Sequence, residues 1–221
     1  MIKGTVFRSA QRVFDCKIDG QAEIISATAK GNLLKGSDSV VVGDEVLLSK
    51  EENGEYFIEE VSERKSVIWR QIKRENKKKV TASNVDLLVI LASVSKPKYK
   101  RGIVDRYLIR SAQWEIPAIL IFNKMDSFKE GSIDLNFEAN RLEELGVKCF
   151  EISAKFPDYS PVHIDSGLSE LNLELAGKNS IFLGQSGVGK SSLISALSEG
   201  AVDLKTKNIG KAGKGTHTTT W

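Results

Sequence analysis

The sequence predicts two folds in series: an all-β barrel of the OB type, then an α/β domain built on a parallel sheet. Three observations carry that prediction. Residues 1 to about 75 hold short β-rich runs separated by turn signals. From Asn84 onward, nearly continuous apolar runs alternate with helical periodicity. One such run, Ser180-Ile181-Phe182-Leu183, leads into Gly184-Gln185-Ser186-Gly187-Val188-Gly189-Lys190-Ser191, which fits G-x-x-x-x-G-K-[ST] between a strand and a helix.

The first region offers six strand candidates. They are Thr5-Val6-Phe7, Val13-Phe14-Asp15-Cys16-Lys17-Ile18, Ala22-Glu23-Ile24-Ile25, Val40-Val41-Val42, Val46-Leu47-Leu48 and Tyr56-Phe57-Ile58-Glu59-Glu60-Val61. Asp19-Gly20, Lys30-Gly31-Asn32, Gly43-Asp44 and Glu52-Asn53-Gly54 separate them as turns. A five-stranded OB-type barrel fits residues 1–75.

A basic stretch follows, from Arg64 to Lys79, with eight Lys or Arg, one Glu and Trp69 within it. Beside a small barrel it suits contact with a nucleic-acid backbone. It equally suits a solvated connection. Residues 76–83 are expected to be a basic linker, and 84–221 the α/β domain.

In that domain Val85-Asp86-Leu87-Leu88-Val89-Ile90-Leu91-Ala92 reads as a strand buried on both faces. Val104, Leu108, Ile109 and Ala112 recur at helical spacing. Ala118-Ile119-Leu120-Ile121-Phe122 is the second strand. Phe137, Leu142 and Leu145 mark a helix that Gly146 can end. Lys148-Cys149-Phe150-Glu151-Ile152 is the third strand. Leu168, Leu171, Leu173 and Leu175 mark a helix before the strand at Ile181. Ligands of such sheets bind beyond the carboxyl ends of the strands.

The phosphate-loop chemistry follows from its residue types. Glycines let backbone N–H groups close on phosphate oxygens. The helix opened by Ser191-Ser192-Leu193 adds its partial positive charge. Lys190 reaches the β- and γ-phosphates, and the Ser191 hydroxyl ligates Mg²⁺. Without a ligand the same residues are only a glycine-rich turn.

Asn123-Lys124-Met125-Asp126 directly follows the second strand and matches N-K-x-D. An ionised Asp126 only accepts hydrogen bonds, so it pairs with the N1–H and exocyclic amine of guanine. Asn123 can bond the base's other side and tie loops together, while the Lys124 stem covers the ring face. Ser153-Ala154-Lys155 ends the third strand and resembles the S-A-K loop, whose backbone N–H meets guanine O6.

Ordinary GTPases place the phosphate loop before N-K-x-D and S-A-K. Here it comes after both, the order of a circular permutation, which compact domains with neighbouring ends tolerate. With Ala82-Ser83-Asn84-Val85-Asp86, Asp105-Arg106-Tyr107-Leu108 and Gly213-Lys214-Gly215-Thr216-His217-Thr218-Thr219-Thr220, this ordered set resembles the RsgA family of small ribosomal subunit biogenesis GTPases across all 221 residues. The resemblance implies an OB domain, a permuted GTPase domain and a zinc-binding C-terminal domain. It implies GTP hydrolysis with GTP or GDP and Mg²⁺, stimulated by the small ribosomal subunit, with that subunit and its rRNA as partners. The 213–220 segment matches the family's first switch, where Thr219, or else Thr218, ligates Mg²⁺. His217 is a candidate for placing the attacking water; the alternative is an exposed loop histidine. No D-x-x-G follows the phosphate loop, so the second switch, its Asp, at least one strand and the zinc ligands are expected beyond Trp221. Two other readings stay open: a nucleotide-regulated RNA-binding module, and a permuted GTPase with a non-ribosomal partner.

Composition sets the remaining bounds. The 41% hydrophobic and 28% charged residues are those of an ordinary globular chain. Cys16 and Cys149 form no C-x-x-C pair, which argues against zinc in this chain and fits a reducing compartment. No apolar run approaches the ~20 residues of a membrane span. A cytoplasmic monomer is expected.

Overall fold

The computed structural model describes residues 1–198 apart from 11, 22, 35–38 and 73–75. It divides into two compact units, residues 1–85 and the described residues from Asp86 onward.

In the first unit β1 (Ile2–Ala10), β2 (Val13–Ile18), β3 (Ile24–Ala29), β4 (Glu45–Lys50) and β5 (Tyr56–Val61) close a barrel in the order β1-β2-β3-β5-β4. β4 returns to β1, and β3 runs parallel to β5. The predicted OB-type barrel is therefore present. Alternation builds it: on β3, Ile25, Ala27 and Ala29 face the core while Ile24, Ser26 and Thr28 face out. Phe14, Cys16, Val46, Leu48 and Ile58 pack into the same core, with Val6, Ile18 and Val40. Burial, with the Asp15 charge beside it, pushes the Cys16 thiol up to about 11.

Val40-Val41-Val42, expected as a strand, is instead a turn. Val40 and Val41 are buried, but the Val41 N–H donates to Asp44 Oδ2 (2.8 Å) and the Gly43 N–H to Val6 O (2.8 Å). Val42 keeps a single bridge to Ala82. The run 76–83, expected as a linker, contains β7 (Lys77–Ser83), paired antiparallel with β6 (Val67–Ile72). β-formers decide this outcome: Ile68 pairs with Ala82 and Trp69 with Val80, flanked by Val67 and the bulged Thr81, and Asn76 takes φ 47 in the turn.

A buried ion pair fastens that hairpin to the barrel. Asp44 is fully buried, and its carboxylate accepts from Arg64 Nε (2.7 Å), Arg64 Nη2 (2.8 Å) and Ser83 Oγ (2.6 Å). Asn84, at φ 52, accepts from the Lys65 N–H (2.9 Å) and donates to Gly43 O (2.8 Å). Gly43 has no substitute there: a Cβ would sit 2.0 Å from Ser83 O, at φ +92.

In the second unit β8 (Leu87–Ser93), α1 (Arg101–Trp114), β9 (Ala118–Asn123), α2 (Leu135–Glu143), β10 (Cys149–Glu151), α3 (Leu168–Leu175), β11 (Ser180–Gly184) and α4 (Lys190–Leu197) alternate. The sheet runs β10-β9-β8-β11, all parallel. Every residue of β8 and β9 is buried, as a sheet covered on both faces requires. Asp134 caps α2, accepting from the Phe137 N–H (2.9 Å). Phe137 itself is 51% exposed and Leu145 64%, so neither lies on the core face assigned to them. Leu135, Ala139 and Leu142 form that face. Because the strands are parallel, Ser93, Asn123, Glu151 and Gly184 emerge at one pole. No described helix is long and apolar enough to cross a membrane.

Candidate nucleotide site

β11 ends at Gly184 and α4 begins at Lys190, so the phosphate loop turns between them as the motif predicts. Gly187 and Gly189 take φ 80 and 101, which side chains rarely adopt. A Cβ on Gly184 would lie 2.5 Å from Leu91 O, so β8 and the loop touch there backbone to backbone. Lys190 Nζ donates to Gly184 O (2.8 Å) and Gln185 O (2.9 Å) and spans the loop's mouth. Burial lowers the pKa of its ammonium. Gln185, Ser186, Val188, Ser191 and Ser192 complete the loop and the first turn of α4; Val188 is buried against the sheet core.

Asn123 joins the loops. It is 1% exposed, donates from Nδ2 to Val188 O (2.8 Å) and accepts at Oδ1 from the Ala154 N–H (2.9 Å). One amide therefore bonds the phosphate loop on one side and the Ser153-Ala154-Lys155 loop on the other. Gly189 must be glycine for this reason too: its Cβ would fall 2.3 Å from Asn123 Nδ2.

Lys124 sits at φ 69 and sends Nζ to Gly187 O (2.7 Å) and to Lys96 O. Burial lowers its pKa, with the Asp126 charge opposing. Met125 is buried and anchors the turn through its N–H to Ile152 O (3.2 Å). Asp126 is exposed and accepts from Ser153 Oγ and Ser127 Oγ. The arrangement presents a carboxylate whose geometry is fixed by two hydroxyls, suited to paired N–H donors of a base. Lys155 is exposed, with Nζ 5.2 Å from the Phe156 ring centroid.

The structure thus brings together Asn123, Lys124, Met125, Asp126, Ser153, Ala154 and the phosphate loop at one pole. His217, Thr218 and Thr219 lie outside the described residues. Two participants were missed in the sequence. The Lys96 carbonyl is one, reached only through the loop after β8. Glu151 is the other: fully buried, it accepts from Tyr159 OH, the Val162 N–H (3.0 Å), the His163 N–H (2.7 Å) and the Ile164 N–H (2.8 Å). Only the position of Glu151 two residues before Ser153 could have signalled it.

A phosphate loop and an N-K-x-D turn, laced through one asparagine and permuted in chain order, define a circularly permuted GTPase domain. The family model described as RsgA GTPase matches residues 61–221, and the chain belongs to that family. It is 33% identical over 227 residues to the small ribosomal subunit biogenesis GTPase RsgA 2 of Bacteroides thetaiotaomicron, covering 100% of this chain and 70% of that relative. It is 36% identical over 196 residues to the RsgA protein of Chlorobaculum parvum, covering 84% of this chain and 60% of that one. Among solved structures it resembles YjeQ from Thermotoga maritima, with a TM-score of 0.67 at 26% identity, covering 93% of this chain and 67% of that one. The fold also matches YloQ, described as a circularly permuted GTPase, with a TM-score of 0.66 at 23% identity, covering 91% of this chain and 66% of that one.

Proposed function

We propose that the chain acts as a guanine-nucleotide-dependent factor that binds the small ribosomal subunit, assists its late maturation and hydrolyses GTP there. The observation that carries this reading is the single amide of Asn123, which locks the base-reading loops onto the phosphate loop. The names of the relatives supply the ribosomal partner.

The residues have distinct tasks in this reading. Backbone N–H groups of the phosphate loop and Lys190 hold the β- and γ-phosphates. Asp126 reads the N1–H and amine of guanine, and Lys124 covers the ring. Among the described residues no three His, Cys, Asp or Glu side chains converge as a metal site. The Ser191 hydroxyl, on the first turn of α4, fits a Mg²⁺ that is held chiefly by nucleotide phosphates. When bound, that ion supplies charge neutralisation on the phosphates. Thr219 is the candidate second hydroxyl and His217 the candidate for orienting water.

The β6–β7 hairpin supports an RNA contact. Arg70 stands opposite Lys79, and Gln71 opposite Lys78, at the exposed end of the two-stranded ribbon. Like charges facing each other destabilise a hairpin. A polyanionic partner turns that repulsion into binding. Lys78 Nζ lies 4.1 Å from the Trp69 ring centroid, so cation and aromatic face are already paired.

The test is co-sedimentation with small ribosomal subunits and a non-hydrolysable GTP analogue. Asp126→Asn should stop guanine nucleotide from driving the protein into the pellet, and the xanthosine analogue should restore it. Asn can donate to the xanthine carbonyl, where Asp met an amine. Pelleting should weaken steeply with salt. RNA binding that ignores nucleotide would favour the RNA-module reading; GTP turnover indifferent to subunits would point to another partner.

A further inference from the structure

Glu151 is a buried carboxylate that the phosphate and base contacts above leave without a task. It ends β10, opposite Phe122 in the register, and is fully buried. Its four donors come from Tyr159, Val162, His163 and Ile164, eight to thirteen residues further along. The Glu151 N–H in turn donates to Ser166 O (2.8 Å). Residues 155–163 are otherwise largely exposed; short turns at Phe156 and Tyr159 shape their start, and this carboxylate gathers the part from Tyr159 onward. All four donors are neutral. A buried carboxylate in such a setting needs several well-aimed donors at once, so the segment has one geometry and not many.

The gathered segment is the continuation of the base-reading loop. Ser153 and Ala154, two and three residues past Glu151, bond Asp126 and Asn123. His163 meets the Phe128 ring edge-on at 5.1 Å, two residues past Asp126. Burial, the Glu151 hydrogen bond and charge, and then the Asp126 charge, all raise the Tyr159 pKa, so the phenol keeps its proton to donate. The two loops that flank a guanine are therefore braced from behind by one residue.

We infer that Glu151 is a positioning residue for guanine selectivity, pinning residues 159–164 so that the 153–155 loop holds Asp126 at the base. It touches no ligand itself. The inference rests on the guanine-nucleotide reading of the site.

The experiment measures GDP, IDP and ADP affinities of the 221-residue chain by titration, in wild type, Glu151→Gln and Tyr159→Phe. IDP lacks the exocyclic amine that Asp126 reads, so the GDP/IDP ratio reports the carboxylate's placement. Gln keeps one acceptor oxygen and turns a donor toward the backbone N–H groups. Glu151→Gln should lower the GDP/IDP ratio about tenfold, equivalent to about 1.4 kcal/mol. It should change ADP affinity, set by the phosphate loop, less than twofold. Tyr159→Phe removes one donor of four and should lower the same ratio two- to threefold while folding normally. Amides 162–164 should exchange faster in both. A purely architectural role would lower stability and leave the ratio among folded molecules intact. Unchanged ratios in both variants overturn the inference; if Glu151→Gln does not fold, Tyr159→Phe alone decides. A wild type that fails to prefer GDP over ADP overturns the functional reading, and this inference with it.

Discussion

Asp44 in the barrel unit and Glu151 in the α/β unit are both sealed from solvent, and the chain compensates them in opposite ways. Asp44 faces a guanidinium, Arg64, in a two-point pair backed by Ser83 Oγ and the Val41 N–H. Glu151 faces a phenol and three backbone N–H groups. An ion pair holds fixed groups together and is strongly disfavoured when halved. A set of neutral donors shapes the segment that carries them and can be loosened one donor at a time. The first arrangement suits a joint between barrel and hairpin. The second suits a loop that must present atoms to a ligand.

The largest expected effect sharpens that contrast. Asp44→Asn leaves Arg64, only 14% exposed, without its counter-charge, and should cost about 3–5 kcal/mol of barrel stability. Arg64→Met added to it should recover part of the loss, because neither charge then stays buried. Urea unfolding followed by Trp69 fluorescence, with Trp114 and Trp221 replaced by Phe, reads the barrel unit. GDP affinity should stay within twofold, since its residues belong to the other unit. A parallel collapse of nucleotide binding would break the contrast between joint and ligand loop.

Next in size is Gly189→Ala. The new Cβ would lie 2.3 Å from Asn123 Nδ2, on a backbone at φ +101. Asn123 must then give up Val188 O or Ala154 N. Losing buried hydrogen bonds of this kind costs about 1–3 kcal/mol, so GDP should bind roughly 5- to 150-fold more weakly. Calorimetric titration measures it, and the unfolding midpoint of the barrel unit should not move. Wild-type affinity in this variant would show that Asn123 does not organise the site.

Much of this was legible beforehand, and what was not has a physical reason. Strands buried on both faces, such as Leu87–Ser93, announce themselves because burial forces a continuous apolar run. The phosphate loop and N-K-x-D are legible because their chemistry is local: glycines, one lysine and one aspartate at fixed spacing. The β6–β7 hairpin was hidden by its charges, which outnumber the Ile68–Ala82 and Trp69–Val80 pairs that close it across Asn76. Val40-Val41-Val42 has strand propensity, but Asp44 claims its backbone for a turn. Phe137 and Leu145 fit an apolar period and still lie exposed, because α2 turns Leu135, Ala139 and Leu142 inward and ends at Glu143. The partners of Asp44 and Glu151 were out of reach. Arg64 and Ser83 lie 20 and 39 residues from Asp44. Three of the four donors to Glu151 are backbone N–H groups, which every residue but proline carries.

The smallest expected effect asks whether the contrast belongs to the units or to the pairing. Glu138 is a third buried carboxylate, 2% exposed, in the same α/β unit as Glu151 but compensated like Asp44. It accepts from Arg101 Nε (2.6 Å), Tyr99 OH (2.9 Å) and Arg141 Nη2 (3.1 Å), and Arg141 also binds Asp105 (2.9 Å). Burial pushes its carboxyl up, but the hydrogen bonds from Arg101, Tyr99 and Arg141 together outweigh burial and hold it below the ordinary range. A carboxyl depressed on folding stabilises the fold above its unfolded pKa of about 4, and that stability disappears as pH falls through the folded value. The Arg101 side chain is 53% exposed, so solvent screens its share. The contribution should then be about 1 kcal/mol, not the several expected at Asp44. Urea unfolding of wild type and Glu138→Gln at pH 7, 5 and 3 measures it. The two stabilities should differ at pH 7 and 5 and converge by about 1 kcal/mol toward pH 3, with the GDP/IDP ratio unchanged throughout. Convergence with an intact ratio ties the behaviour of a buried carboxylate to its partners, because Glu138 and Glu151 share one unit and differ in what faces them. A ratio that falls in Glu138→Gln as far as in Glu151→Gln would make any buried charge in that unit a determinant of base choice, and the distinction between cationic and neutral compensation would fail.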